Sequence, residues 1–200
     1  MPVLIRTVYV RSEESDGPLE KRDCNGAPVI LNGGFEVDDP ATAITPSGWS
    51  LSNIEGTVTF GLTKPGNGES TYAFVASLKP KFPEEEELTG SSFMLSQKLN
   101  TCAGQSYKIT LDFRYDSAAE GACLFSNGII GTDENALDYD GETYARAYSD
   151  GTPLAWYNSE TSFKAIRPNE VLVIFVGCKG NVTNTYSVDN VVVTPFGQPY

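Results

Sequence analysis

Histidine is absent from the 200 residues, and that gap removes Ser-His-Asp and Cys-His nucleophile systems with every imidazole-based metal site. Cations are scarce: 14 Lys and Arg face 26 Asp and Glu, and the formal charge of −12 repels phosphate backbones and anionic lipid. Nucleic acid and membrane surfaces are therefore not expected partners. No apolar run approaches the length of a membrane span, and no segment keeps a helical apolar stripe for three turns. Gly-rich phosphate loops and nucleophile elbows are missing as well. What is present is 40% hydrophobic and 11% aromatic residues, enough for the core of one ordinary domain.

Four cysteines, Cys24, Cys102, Cys123 and Cys178, are widely spaced and form no CxxC pair. Their even number, without metal-ligand spacing, favours two disulfides in a secreted protein over four free thiols. The sequon Asn181-Val182-Thr183 agrees, marking Asn181 as a glycosylation candidate. Residues 1–22 carry four basic and four acidic residues and end on Lys21-Arg22, so the whole −12 falls on residues 23–200. This segment lacks the features of a signal peptide and reads either as a propeptide closed by a dibasic processing site or as a polar linker. The domain is expected over 23–200.

That body is a series of short β-like runs separated by Gly, Pro, Asn and Asp. They fall at 29–31, 35–37, 56–62, 72–78, 93–99, 107–115, 122–130, 143–149, 155–166, 171–178 and 186–195. The clearest alternation sets Tyr107, Ile109, Leu111, Phe113 and Tyr115 on one face and Lys108, Thr110, Asp112 and Arg114 on the other. Such spacing predicts an all-β antiparallel sandwich or barrel. Carboxylates are plentiful but lie mostly in expected loops: Asp38-Asp39, the run Glu84 to Glu87, and Asp133, Glu134, Asp138 and Asp140. No two stand out as a glycosidase pair, so no catalytic residue is assigned and no enzyme is expected.

Asn32-Gly33-Gly34-Phe35-Glu36, Trp49 after Pro46-Ser47-Gly48, Cys102-Ala103-Gly104-Gln105-Ser106-Tyr107, and the closing Tyr186-Ser187-Val188-Asp189-Asn190-Val191-Val192-Val193 carry a resemblance. Together they resemble β-jelly-roll carbohydrate-binding modules of the galactose-binding-like superfamily, most of all those of secreted fungal proteins, over about residues 24–196. The resemblance implies a galactose-binding-domain-like jelly roll and a core position for Trp49. It also implies one structural calcium on Glu36 and Asp189 with turn carbonyls, an oxygen set suited to a hard cation. Strand order favours a Cys123–Cys178 bridge between antiparallel neighbours, leaving Cys24–Cys102; three pairings are formally available.

Sugar sites stack pyranose faces on aromatic rings flanked by hydrogen-bonding side chains. In Tyr144-Ala145-Arg146-Ala147-Tyr148, alternation puts Tyr144, Arg146 and Tyr148 on one face, as a binding stripe or as a merely stable exposed strand. Trp156 and Tyr157 point to opposite faces, so only one can join such a site; Arg114 and Asp112 are candidates to extend it. The expected function is non-catalytic carbohydrate binding by a secreted, extracellular or cell-wall protein. The competing reading is a structural or adhesive protein that self-associates through the same sandwich.

Overall fold

The stripe from Tyr107 to Tyr115 forms the core-facing side of a strand that is paired along both edges in the second of two sheets. The computed structural model describes residues 29–36, 46–79, 90–117, 122–130, 144–148, 155–180 and 182–196, with backbone alone at 53, 117, 130 and 144–148. Cys24, the acidic run at 84–87, the four carboxylates of 133–140 and Asn181 lie outside these residues.

The strands are β1 (Ser50–Glu55), β2 (Thr57–Thr63), β3 (Ala73–Lys79), β4 (Gly90–Lys98) and β5 (Ser106–Ser117). They continue with β6 (Cys123–Ile130), β7 (Tyr144–Tyr148), β8 (Tyr157–Lys164), β9 (Val171–Lys179) and β10 (Asn184–Phe196). They make a first sheet in the order β1-β4-β9-β6-β7 and a second in the order β2-β3-β10-β5-β8, all neighbours antiparallel. Among the described residues no helix occurs. The fold is an all-β jelly-roll sandwich.

Period-two alternation builds the interior from both sheets. Tyr107, Ile109, Leu111, Phe113 and Tyr115 of β5 are buried against Phe93, Leu95, Phe125, Leu172, Ile174 and Val176 of the first sheet. The sheets lock through aromatic contact: Phe113 of β5 stacks on Phe125 of β6 with ring centroids 4.4 Å apart, and Phe125 stacks on Tyr186 at 5.7 Å. Cys123 and Cys178 are register partners on β6 and β9 and form a disulfide. Cys102 is also disulfide-bonded.

Two expectations near the N-terminus need correction. Residues 29–31 and the start of 35–37 are bends and a turn rather than strands. The side chain of Gln97 substitutes for a partner strand there: Leu31 N–H donates to its Oε1 at 2.6 Å, and its Nε2 donates to Leu31 O at 2.8 Å. The second correction is β1, which was not expected, because Ser-Leu-Ser-Asn-Ile-Glu offers only two apolar side chains. Trp49, just ahead of β1, is buried as expected and donates its indole N–H to Asn32 O at 3.1 Å.

The Asn32–Glu36 turn is seated against β10. Val191 N–H donates to Gly33 O at 2.9 Å where the β10 ladder slips between Asp189 and Val192. A Cβ on Gly33 would lie 1.8 Å from Val191 O, so only glycine permits this approach. Gly33→Ala is expected to cost roughly 2 kcal/mol or more, and a thermal melt showing wild-type stability would refute the packing described.

Candidate functional site

Alternation in the first sheet leaves a second row of residues facing away from the core. On β9, Leu172, Ile174, Val176 and Cys178 point in, so Val171, Val173, Phe175 and Gly177 fall on the other face, where Val173 is itself buried and the other three are half-buried. The ladders join these into rows across five strands. One row is Ser52, Met94, Phe175, Ser126 and Arg146; another is Ser50, Ser96, Val173, Gly128 and Tyr144; a third runs Ser92, Gly177, Leu124 and Tyr148. Tyr144, Arg146 and Tyr148 therefore close three adjacent rows at the β7 edge.

Phe175 occupies the centre of this face. A Cβ placed on Gly177 would lie 3.0 Å from both Cε1 and Cζ of the Phe175 ring. The ring thus lies along its own strand, over a residue with no side chain to lift it, and stays half-buried. Sequence reading missed it because β9 is apolar on both faces. The signal was one of phase: Phe175 alternates against Leu172, Ile174 and Val176, and glycine follows two residues later.

The structure does not bring Arg114 to the β7 stripe. Arg114 stands on the outer face of β5, in the second sheet, which is the opposite side of the sandwich. There its Nε pairs with Asp116 Oδ1 at 2.5 Å, and its guanidinium carbon lies 4.7 Å from the Trp156 ring centroid. Ser187 donates its hydroxyl to Asp116. Trp156 thus joins Arg114, while Tyr157 turns inward and stacks on Phe113 at 5.6 Å. Alternation put Arg114 on the polar face of its strand and set Trp156 and Tyr157 on opposite faces, without saying which of the two turns inward; it carried no information about which sheet would own the strand.

The two residues expected to hold calcium do converge, around the hydroxyl of Ser70 in the β2–β3 loop. Ser70 Oγ lies 2.8 Å from Glu36 Oε1, 2.8 Å from Tyr72 O, 3.1 Å from Asp189 Oδ1 and 3.2 Å from Gly34 O. A hydroxyl has one proton to donate. Three of those four contacts therefore set oxygen against oxygen without a proton between them.

Charge adds to the imbalance. Asp189 is fully buried, and its carboxyl is raised above the usual range by burial, against the opposing bonds from Asn67 N–H, Asn190 N–H and Ser70; the Glu36 charge raises it further. Burial also pushes Glu36 up, but bonds from Ser70, Tyr72 and Thr71 outweigh it and leave that carboxyl below its ordinary value. Gly66 completes the enclosure: a Cβ there would meet Tyr72 O at 2.6 Å and Asp189 Oδ2 at 2.7 Å. Two carboxylates and two turn carbonyls fit a hard divalent cation. Among the described residues no three His, Cys, Asp or Glu side chains cluster to hold a metal unaided, so a cation here would depend on the carbonyls of Gly34 and Tyr72.

No protein-family model and no curated protein sequence matches the chain. Solved structures do resemble it. A carbohydrate-binding module, TmCBM61, in complex with beta-1,4-galactotriose matches with a TM-score of 0.56 at 19% identity, covering 86% of this chain and 100% of that one. A putative sugar binding protein from Bacteroides thetaiotaomicron matches at 0.52 and 13%, covering 85% and 100%. The CBM22-1 xylan-binding domain from Paenibacillus barcinonensis Xyn10C matches at 0.50 and 15%, covering 86% and 99%. At these identities the likeness establishes architecture: the chain has the β-jelly-roll fold of carbohydrate-binding modules.

Proposed function

We propose that the protein is a non-catalytic carbohydrate-binding module whose binding surface is the outer face of the first sheet. One observation carries this reading: the Phe175 ring lies over Gly177 at the centre of three register rows that end on Tyr144, Arg146 and Tyr148. An aromatic ring lying along a sheet suits a pyranose face, and half-buried Ser96 on the neighbouring strand offers a hydroxyl to sugar hydroxyls. In this reading the stripe at 144–148 supplies further stacking and a cation, while Arg114 and Trp156 play no part on this face.

Binding then proceeds without bond cleavage. The rings displace water from the apolar faces of the sugar, and Ser96 and Arg146 fix its orientation. Glu36, Asp189 and the carbonyls of Gly34 and Tyr72 would hold one structural calcium. When bound, that ion supplies the positive charge the four oxygens lack and ties the 33–36 turn, the β2–β3 loop and β10 together. The Cys123–Cys178 bridge and the bonded Cys102 support an extracellular setting, where disulfides persist.

The test is affinity electrophoresis of the protein, with calcium supplied, through gels containing β-1,4-galactan, xylan or mannan, followed by a glycan array. Retardation by at least one polysaccharide is expected. Free migration through all three gels and a blank array would refute the reading.

A further inference from the structure

Asp112 takes no place among the four oxygens around Ser70, yet three side-chain amides converge on it. Its Oδ2 accepts from Asn67 Nδ2 at 2.9 Å and from Asn190 Nδ2 at 3.0 Å, and its Oδ1 accepts from Asn158 Nδ2 at 2.8 Å. Asp112 is also the register partner of Asp189 on the neighbouring strand. Like charges directly opposite one another oppose sheet formation unless something mediates between them.

Asn67 mediates. Its backbone N–H donates to Asp189 Oδ2 at 2.6 Å while its side-chain amide reaches Asp112, so the residue is gripped by both carboxylates. Its carbonyl accepts from Asn190 Nδ2 at 3.3 Å and from Ser70 N–H at 3.2 Å. The loop is closed behind it by Gly66 N–H donating to Thr71 O at 3.3 Å. From this anchor hang Ser70, Thr71 and Tyr72, the residues that address Glu36: Ser70 through its hydroxyl, Thr71 N–H at 2.7 Å and Tyr72 N–H at 3.3 Å.

We infer that Asp112 is a positioning residue that sets calcium affinity through Asn67, by fixing the β2–β3 loop so that Tyr72 O and Gly34 O stand beside the Glu36 and Asp189 carboxylates. The inference rests on the calcium reading above. Asp112 itself is no ligand, because its oxygens are taken by carboxamides. Asn190 and Asn158 hold it in one orientation, Asn190 from the left-handed position (φ 50°) that follows Asp189. Carboxylates that orient a site from behind in this way govern metal affinity about as strongly as a weak ligand.

The experiment is calcium titration by calorimetry of wild type, Asp112→Asn, Asn67→Ala and the double variant, below every melting temperature. Asp112→Asn keeps the shape but turns an NH2 toward donors it should accept from. It is expected to bind one calcium about tenfold or more weaker. Asn67→Ala keeps the backbone bond to Asp189 and should weaken binding similarly, and the double variant should be little worse than either single one. Amide exchange of Ser70, Thr71 and Tyr72 in EDTA should quicken in all three variants, a local effect that a general loss of sheet stability would not confine to the loop. Wild-type affinity in Asp112→Asn, or fully additive losses, overturns the inference and leaves the calcium site standing. Wild-type protein that takes up no calcium overturns both.

Discussion

Phe175→Ala is expected to weaken polysaccharide binding at least tenfold, about 1.4 kcal/mol, with the melting temperature lowered by only a few degrees. The separation of the two effects follows from where the ring lies. Phe175 is half-buried and stands outside the hydrophobic core, so its truncation leaves no enclosed cavity. Phe113, by contrast, stacks on Phe125, Tyr157 and Tyr186, and its replacement by alanine is expected to cost about 3–5 kcal/mol. A second variant isolates geometry from hydrophobicity. Gly177→Ala retains every aromatic ring, but its methyl group would sit 3.0 Å from Cε1 and Cζ of Phe175 and must tilt the ring off the sheet. It should lose binding in proportion to that tilt. Undiminished retention of Phe175→Ala in affinity gels would move the binding surface elsewhere on the molecule.

How these features show in the sequence depends on the distance over which each is determined. The β5 stripe was legible because both of its faces are written within nine residues, apolar at Tyr107 to Tyr115 and polar at Lys108 to Arg114. The Cys123–Cys178 bridge was legible from the ends of two strands once they were taken as neighbours. The convergence of Glu36 with Asp189 was legible through resemblance alone, since no local pattern links residues so far apart. Three things could not be read. Sheet membership decides that Arg114 and the 144–148 stripe lie on opposite sides, and it is fixed by topology rather than alternation. The 29–31 segment has strand-like composition, but a side chain, Gln97, takes the place of its ladder partner. Ser70, Asn67 and Asp112 are ordinary polar residues in one dimension; only the slip in the β10 register and the folded-back loop bring them to Asp189.

Calcium in excess is expected to raise the melting temperature by about 5–10 °C over protein in EDTA, since a ligand at a hundred times its Kd stabilises by about 2.7 kcal/mol and each kcal/mol moves a domain of this size about 2–4 °C. The metal-free state carries the reason. Asp189 is buried beside a second carboxylate, and the Ser70 hydroxyl at the centre of the four oxygens has one proton to share among them. The raised carboxyl of Asp189 gives the sign of the pH dependence. A raised acid favours the fold where it is protonated, below its unfolded value, and that contribution is lost as pH rises through the folded value. At neutral pH the metal-free protein therefore bears a buried charge that calcium neutralises. On acidification Asp189 takes up its proton first, whereas Glu36, held low by Ser70, Tyr72 and Thr71, stays ionised further down. The calcium-induced shift should be full at pH 7 and should shrink on acidification as the raised carboxyl of Asp189 takes up its proton. Asp189→Asn should abolish it at every pH. An identical melting temperature in calcium and EDTA at pH 7 would show that the four oxygens reach their balance without an ion.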